Sequence, residues 1–177
     1  MKKQFLFLLC VMLFGATSAW ADSGLYLMGV EMPSTSDWSC TTNSFLNLNG
    51  GLLNGTISYD AETKTMTFDY VQAVVYDDTR ILYNKNVPGL KIVFNNWATL
   101  ISSYCVFRLD KDTEIQGPAS DNNLVQFEAR GNNSQCIYCP NETNLTIKDF
   151  GKLKMTSKYR AMHTKGTWVN VYNSNIY

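Results

Sequence analysis

Gly55-Thr56-Ile57-Ser58-Tyr59-Asp60-Ala61-Glu62-Thr63-Lys64-Thr65-Met66-Thr67-Phe68 reads as two alternating runs around a polar turn. Side chains on a strand point to opposite faces with period two. Ile57, Tyr59, Met66 and Phe68 therefore share one face, and Asp60 to Lys64 supplies the turn between two antiparallel strands. The second run ends on a pair of large apolar residues two apart, and such pairs recur along the rest of the chain. Met66/Phe68 is followed by Leu90/Ile92, Phe107/Leu109, Val125/Phe127, Leu145/Ile147 and Val169/Val171. Shorter strand-like runs lie between them at Leu100-Ile101, Glu114-Ile115, Cys136 to Tyr138 and Lys154-Met155, separated by Asn, Gly, Asp and Ser clusters.

A repeat of about 20 residues built from short strands is the pattern of a solenoid, in which each coil stacks its inward pair on the next. Two stretches are also alike: Pro88-Gly89-Leu90-Lys91-Ile92 and Thr143-Asn144-Leu145-Thr146-Ile147. So are the segments that follow them, Ala98 to Ser102 and Lys152 to Thr156. The expected fold is all-β, a right-handed parallel β-helix preceded by an N-terminal β-hairpin cap. A β-sandwich is the competing reading, but its strands recur every 8–12 residues or so, about half the spacing found here. Seventeen asparagines suit many tight turns, because Asn tolerates left-handed backbone and bonds to its own turn. Short strands are also expected at Leu25 to Met28 and at Phe45 to Leu48.

The chain opens with Met1-Lys2-Lys3, an apolar run from Phe5 to Phe14, and Gly15-Ala16-Thr17-Ser18-Ala19-Trp20-Ala21. These are the basic, apolar and small-residue parts of a cleavable export signal. The apolar run is too short for the ~20 residues that span a bilayer. Cys10 lies mid-run, where a lipidation site would leave apolar residues on the mature end. Residues 1–21 are therefore expected to be a signal peptide, 22–70 the N-terminal strands and hairpin cap, and 71–177 the coils, with a secreted or cell-surface location. The signal takes Lys2 and Lys3, leaving 13 basic against 15 acidic residues and no charge run. That balance argues against nucleic acid as a partner, and no further apolar run suggests a membrane span.

The hairpin segment Gly55-x-Ile57-x-Tyr59-Asp60-x-x-Thr63-Lys64-Thr65-Met66-Thr67-Phe68 resembles a signature of exported β-helix-like surface proteins of gut and oral anaerobic bacteria. There, too, a strand like Leu25-Tyr26-Leu27-Met28-Gly29-Val30 precedes it and coils follow. The likeness covers Leu25 to Phe68 well and the coils loosely. It departs at Met66 and Phe68, where leucine is usual, and at Asp69-Tyr70, where asparagines are. What the resemblance implies is a surface protein of carbohydrate-binding type.

Catalytic patterns are weak. His163 is the only histidine and has no nucleophile pattern beside it. The acids at Asp77-Asp78, Asp110/Asp112/Glu114 and Glu128 read as turn solvation; as an enzyme, a polysaccharide lyase or hydrolase would set such acids beside Arg108 or Arg130. Aromatic residues are more suggestive, since an outward ring on a solenoid can stack on a sugar face. Trp97, Tyr138 and Trp168 are the candidate ligand-binding residues. The expectation is a non-catalytic surface binding or adhesion module for a glycan, with no cofactor and no metal. Of the cysteines left after cleavage, Cys136 and Cys139 are candidates for a disulfide, as an even number in an exported chain suggests, with free thiols the competing reading. Finally, Val169 to Tyr177 reads as a rung without a cap. A fragment of a longer protein, or self-association through the C-terminal coil, is the expected consequence.

Overall fold

The computed structural model describes residues 23–44 and 50–177. The signal peptide and the strand expected at Phe45 to Leu48 lie outside the described residues. Every named element is a strand: β1 (Leu25–Leu27), β2 (Val30–Met32), β3 (Trp38–Thr41), β4 (Gly50–Asp60), β5 (Thr65–Val75), β6 (Arg80–Asn84), β7 (Leu90–Phe94), β8 (Ala98–Ser102), β9 (Cys105–Leu109), β10 (Thr113–Gln116), β11 (Leu124–Ala129), β12 (Gln135–Cys139), β13 (Asn144–Lys148), β14 (Lys152–Ser157), β15 (Arg160–Thr164) and β16 (Trp168–Tyr172). Among the described residues, no helix is long and apolar enough to cross a membrane.

The strands from β5 onward wind into a parallel β-helix with three faces. On the first, residues 65–68 of β5 pair with β7, and β10, β13 and β16 follow in parallel. On the second, residues 71–75 of β5 pair with β8, followed by β11 and β14. The third is β6, β9, β12 and β15. A single strand thus serves two faces, and the corner falls at Tyr70, whose φ of 52° turns the backbone. The first coil begins at Thr65, so the cap–coil boundary expected at residue 70 moves into the hairpin, whose second strand is already a rung.

The hairpin is as read: Ile57 pairs with Phe68 and Tyr59 with Met66, all four buried. Its turn is closed by the Thr63 N–H, which donates to Asp60 Oδ1 at 2.9 Å, and by Lys64 at φ 52°. That hydrogen bond holds the Asp60 carboxyl below its usual range. β4 runs antiparallel to all of β5 and carries β3 on its far side, while β1 lies antiparallel to β6 and carries β2. The backbone edge of the first coil is therefore covered on all three faces. Gly55, at φ +88° in the bulged part of β4, leaves no room for a Cβ, which would strike the carbonyl oxygens of Asp69 and Tyr70. At the other end, Val169 and Val171 continue the columns of Leu145 and Ile147 but are 36% and 47% exposed.

The coil length differs from the expected repeat. Leu90, Thr113, Leu145 and Val169 stack in one column, so successive coils are 23, 32 and 24 residues apart on this face. The pairs Phe107/Leu109 and Val125/Phe127 belong to the third and second faces, not the first. The rung between Leu90/Ile92 and Leu145/Ile147 is Thr113/Ile115, and its Thr113 hides it from a search for apolar pairs. The two look-alike stretches are real structural equivalents, β7 and β13, two coils apart; their followers β8 and β14 are equivalent too.

Inside, Phe68, Phe94, Phe107, Phe127 and Phe150 form a continuous stack with ring centroids 5.0 to 6.5 Å apart. Each is almost wholly buried, which stabilises by roughly 1.5–3 kcal/mol per side chain.

Candidate functional site

On the first two faces the outward residues are mainly polar. Lys91, Glu114, Thr146 and Asn170 make one outer row, and Gln72, Thr99, Gln126 and Lys154 another. The third face is different. The residue between each inward pair stacks across the strands in the order Tyr26, Tyr83, Arg108, Tyr138, His163. With strands ~4.8 Å apart, five positions make a strip about 19 Å long parallel to the solenoid axis.

Contact runs through the whole strip. Tyr26 and Tyr83 stack with centroids 5.6 Å apart and planes 21° from parallel. The Arg108 guanidinium lies 4.7 Å from the Tyr83 ring centre and 5.8 Å from that of Tyr138, and Tyr138 faces His163 at 5.1 Å. A cation between two rings is attracted by both quadrupoles. Asp110 fixes it there: Arg108 Nε donates to Oδ1 at 3.0 Å and Nη2 to Oδ2 at 3.2 Å, while the Tyr83 hydroxyl donates to Oδ2 at 3.0 Å. The bond to Asp110 raises the Arg108 pKa, and burial followed by that same carboxylate raises the Tyr83 phenol. The strip is thus continuous and partly exposed, and the Arg108 charge within it is paired by Asp110. Beside its Tyr26–Tyr83 end lies a cavity of ≈ 220 Å³ lined by Tyr26, Gly29, Asp78, Thr79, Arg80 and Tyr83.

Of the three aromatics expected from sequence, Tyr138 belongs to this strip, between Arg108 and His163. Trp97 lies at the corner between β7 and β8, edge-on to Tyr70 at 6.1 Å. Trp168 opens β16 on the first face, 77% exposed. The structure does not bring these three together. Tyr26, Tyr83, Arg108 and His163 are not among the ligand-binding residues expected from sequence, where Arg108 figures only as a basic residue for an enzyme and His163 only as the lone histidine. A signal exists nonetheless: Tyr83, Arg108, Tyr138 and His163 each follow an inward residue of β6, β9, β12 or β15, at intervals of 25, 30 and 25 residues. Finding it requires the true coil length.

The acids serve as ties. Glu114 pairs with Lys148 at 2.9 Å and Glu128 with Arg130 at 2.8 Å, and Asp112 accepts the Asn144 backbone N–H at 2.8 Å. Among the described residues, no three His, Cys, Asp or Glu side chains are grouped to hold a metal ion.

The disulfide expected for Cys136 and Cys139 is replaced by free, buried thiols, as are Cys40 and Cys105. Three residues along one strand span about 10 Å, well beyond the ~7 Å that a disulfide allows between Cα atoms. Cys136 Sγ instead donates to the carbonyl oxygens of Phe127 and Thr156 at 3.4 and 3.2 Å. Burial pushes Cys105 and Cys139 up to about 12, and Cys40 and Cys136 up to about 11. Because these folded values exceed the unfolded 9.0, stability is unaffected below pH 9 and falls as pH rises from 9 through 11–12. We expect the melting temperature to fall across that window, less steeply in a Cys105→Ala/Cys139→Ala variant. Iodoacetamide should spare all four thiols in the native protein and label all four in urea without reductant. Labelling that required reductant would show a bridge instead.

No family model, curated protein or solved structure matches this chain. Fold and site together define it as a parallel β-helix carrying one outer aromatic–guanidinium strip.

Proposed function

We propose that this protein is an exported, cell-surface module that binds a glycan chain along the third face, without catalysing its breakdown. The observation that carries this reading is the strip Tyr26–Tyr83–Arg108–Tyr138–His163. Sugar rings present apolar C–H faces edged by hydroxyls, and partly exposed tyrosines match both features. The rings and the guanidinium run with the axis, so an extended chain meets one contact per strand of this face. The acid within the strip, Asp110, is engaged by Arg108 and Tyr83, which favours a binding role over that of a polysaccharide lyase or hydrolase. Export rests on residues 1–21, and a mature N-terminus at Asp22 checks it.

A glycan array followed by titration tests the binding. Tyr83→Ala and Tyr138→Ala should each lower affinity about tenfold or more, as loss of a central aromatic anchor does. Trp97→Ala and Trp168→Ala, off the strip, should leave it unchanged. A polymer that is cut by the pure protein, or affinity that depends on Trp97 and not on Tyr138, would overturn the proposal.

We also propose that two copies associate through β16. Its exposed Val171 and Tyr172 and an outer strand edge offer the same surface to a second copy, which a twofold axis pairs antiparallel. Sedimentation should show a concentration-dependent dimer that Val171→Lys abolishes; a monomer at every concentration rejects it.

A further inference from the structure

We infer that the cavity beside Tyr26 and Tyr83 receives a carboxylated sugar ring, with Arg80 as the residue that selects its acid group. This deepens the glycan reading and rests on it.

The inference starts from how differently the chain treats its arginines. Arg108 and Arg130 are each held by two hydrogen bonds to a carboxylate two residues away. Arg80 is not. Its guanidinium lies 5.6 Å from the Tyr83 ring centre and 5.0 Å from that of Tyr104, so two aromatic faces fix its position. Its one side-chain hydrogen bond among the described residues runs from Nη1 to the Asp78 carbonyl oxygen at 3.4 Å, near the limit of such a bond. Among the described residues, no ion pair engages it. Its Nε is sealed from water with no partner, a state that costs stability where a side chain serves folding alone. A carboxylate can therefore reach this group only through its Nη end, and Arg80 is among the residues that line the cavity. Two parallel N–H donors in one plane are the geometry that binds a carboxylate by both oxygens.

The remaining lining completes the recognition of a sugar. The stacked Tyr26 and Tyr83 lie along one side. Asp78 and Thr79 also line the cavity, and a carboxylate and a hydroxyl are acceptors suited to ring hydroxyls. Gly29, in the β1–β2 turn, is packed so close to Thr79 that a Cβ would approach its methyl group to 3.2 Å, and the turn is tied to β6 by the Met28 N–H donating to the Ile81 carbonyl at 2.8 Å. A neutral sugar would satisfy Asp78 and Thr79 but leave the Arg80 fork empty. A simple inorganic anion would fill the fork but not the ring faces. A pyranose bearing a carboxylate fills both.

The experiment compares oligogalacturonate with the same oligomer after its carboxyls are reduced to alcohols, by calorimetry at 0.15 M salt. The wild-type protein should prefer the acidic form by about tenfold or more. Arg80→Gln should erase that preference by lowering affinity for the acidic oligomer far more than for the reduced one, and Arg80→Lys, which keeps the charge but not the fork, should restore only part of it. As a readout on the unaltered protein, galacturonate should protect Arg80 from phenylglyoxal, whereas galactose and sulfate should not. Equal binding of both oligomers, unchanged by Arg80→Gln, overturns this inference and leaves the glycan reading standing. Binding of neither oligomer and of no glycan on the array overturns both. Protection by sulfate as strong as by galacturonate reduces the site to a general anion site and overturns the sugar assignment.

Discussion

Phe94→Ala should destabilise the protein by ~3–5 kcal/mol, the range for truncating a buried aromatic. Phe94 is 1% exposed and touches four other rings: Phe68 at 5.0 Å, Phe127 at 5.7 Å, Phe150 at 6.0 Å and Phe107 at 6.5 Å. Those rings come from β5, β9, β11 and the corner between β13 and β14, so the cavity left behind is lined on several sides, mostly by side chains fixed in parallel strands. They cannot collapse into it without breaking interstrand hydrogen bonds. A domain of this size is stable by about 5–15 kcal/mol in total, and the loss takes a large share of that. Urea denaturation is the measurement. The midpoint should fall sharply with a single cooperative transition, because the stack couples neighbouring coils. An unfolding free energy within ~1 kcal/mol of the wild type would mean that the coils hold together without it.

Asn84 is expected to give the second-largest effect, for the opposite reason: it is a polar group at a core position. It is fully buried on the third face, beside Leu25 and Leu109. Its Nδ2 donates to the Val87 carbonyl at 2.9 Å and to Thr113 Oγ1 at 3.1 Å, and its Oδ1 accepts the Val87 N–H at 2.9 Å. Thr113 Oγ1 in turn donates to the Lys111 carbonyl at 2.8 Å. The amide thus closes the corner between β6 and β7 and ties it to the next coil. Asn84→Ala strands both Val87 groups in the core, at ~2–4 kcal/mol. Asn84→Asp tests the same arrangement by pH. A carboxylate still accepts from Val87 N–H but faces the Val87 carbonyl with no proton to give. Burial and that contact raise its folded pKa above the unfolded ~3.9. Its protonated form is therefore favoured by folding: the variant keeps its stability below pH ~4 and loses it as pH rises through the folded value. The melting temperature of Asn84→Asp relative to wild type should drop between pH 4 and pH 8. A variant as stable as wild type at pH 8 would refute the assigned donor role.

What the residues alone determined is everything local. The turn at Asp60 to Lys64 is closed by a side chain three residues from the N–H it accepts, and the alternation on either side places Ile57, Tyr59, Met66 and Phe68 on one face. The inward pairs mark strands for the same reason. Even the likeness of Leu90 to Ile92 and Leu145 to Ile147 pointed to stacked coils, because equivalent places in a solenoid meet the same neighbours. Tertiary structure decided which strands stack on which. Coils of 23 to 32 residues differ through their corners, and corners are closed by contacts such as Asn84 with Thr113, 29 residues apart. Thr113 fills an inward position because Asn84 satisfies its hydroxyl, so no apolar pattern reveals that rung. The strip of Tyr26, Tyr83, Arg108, Tyr138 and His163 follows from that register and from nothing nearer in the chain. Each member looks like an ordinary outward residue of its own strand, and only the closing of each coil over the last sets them side by side.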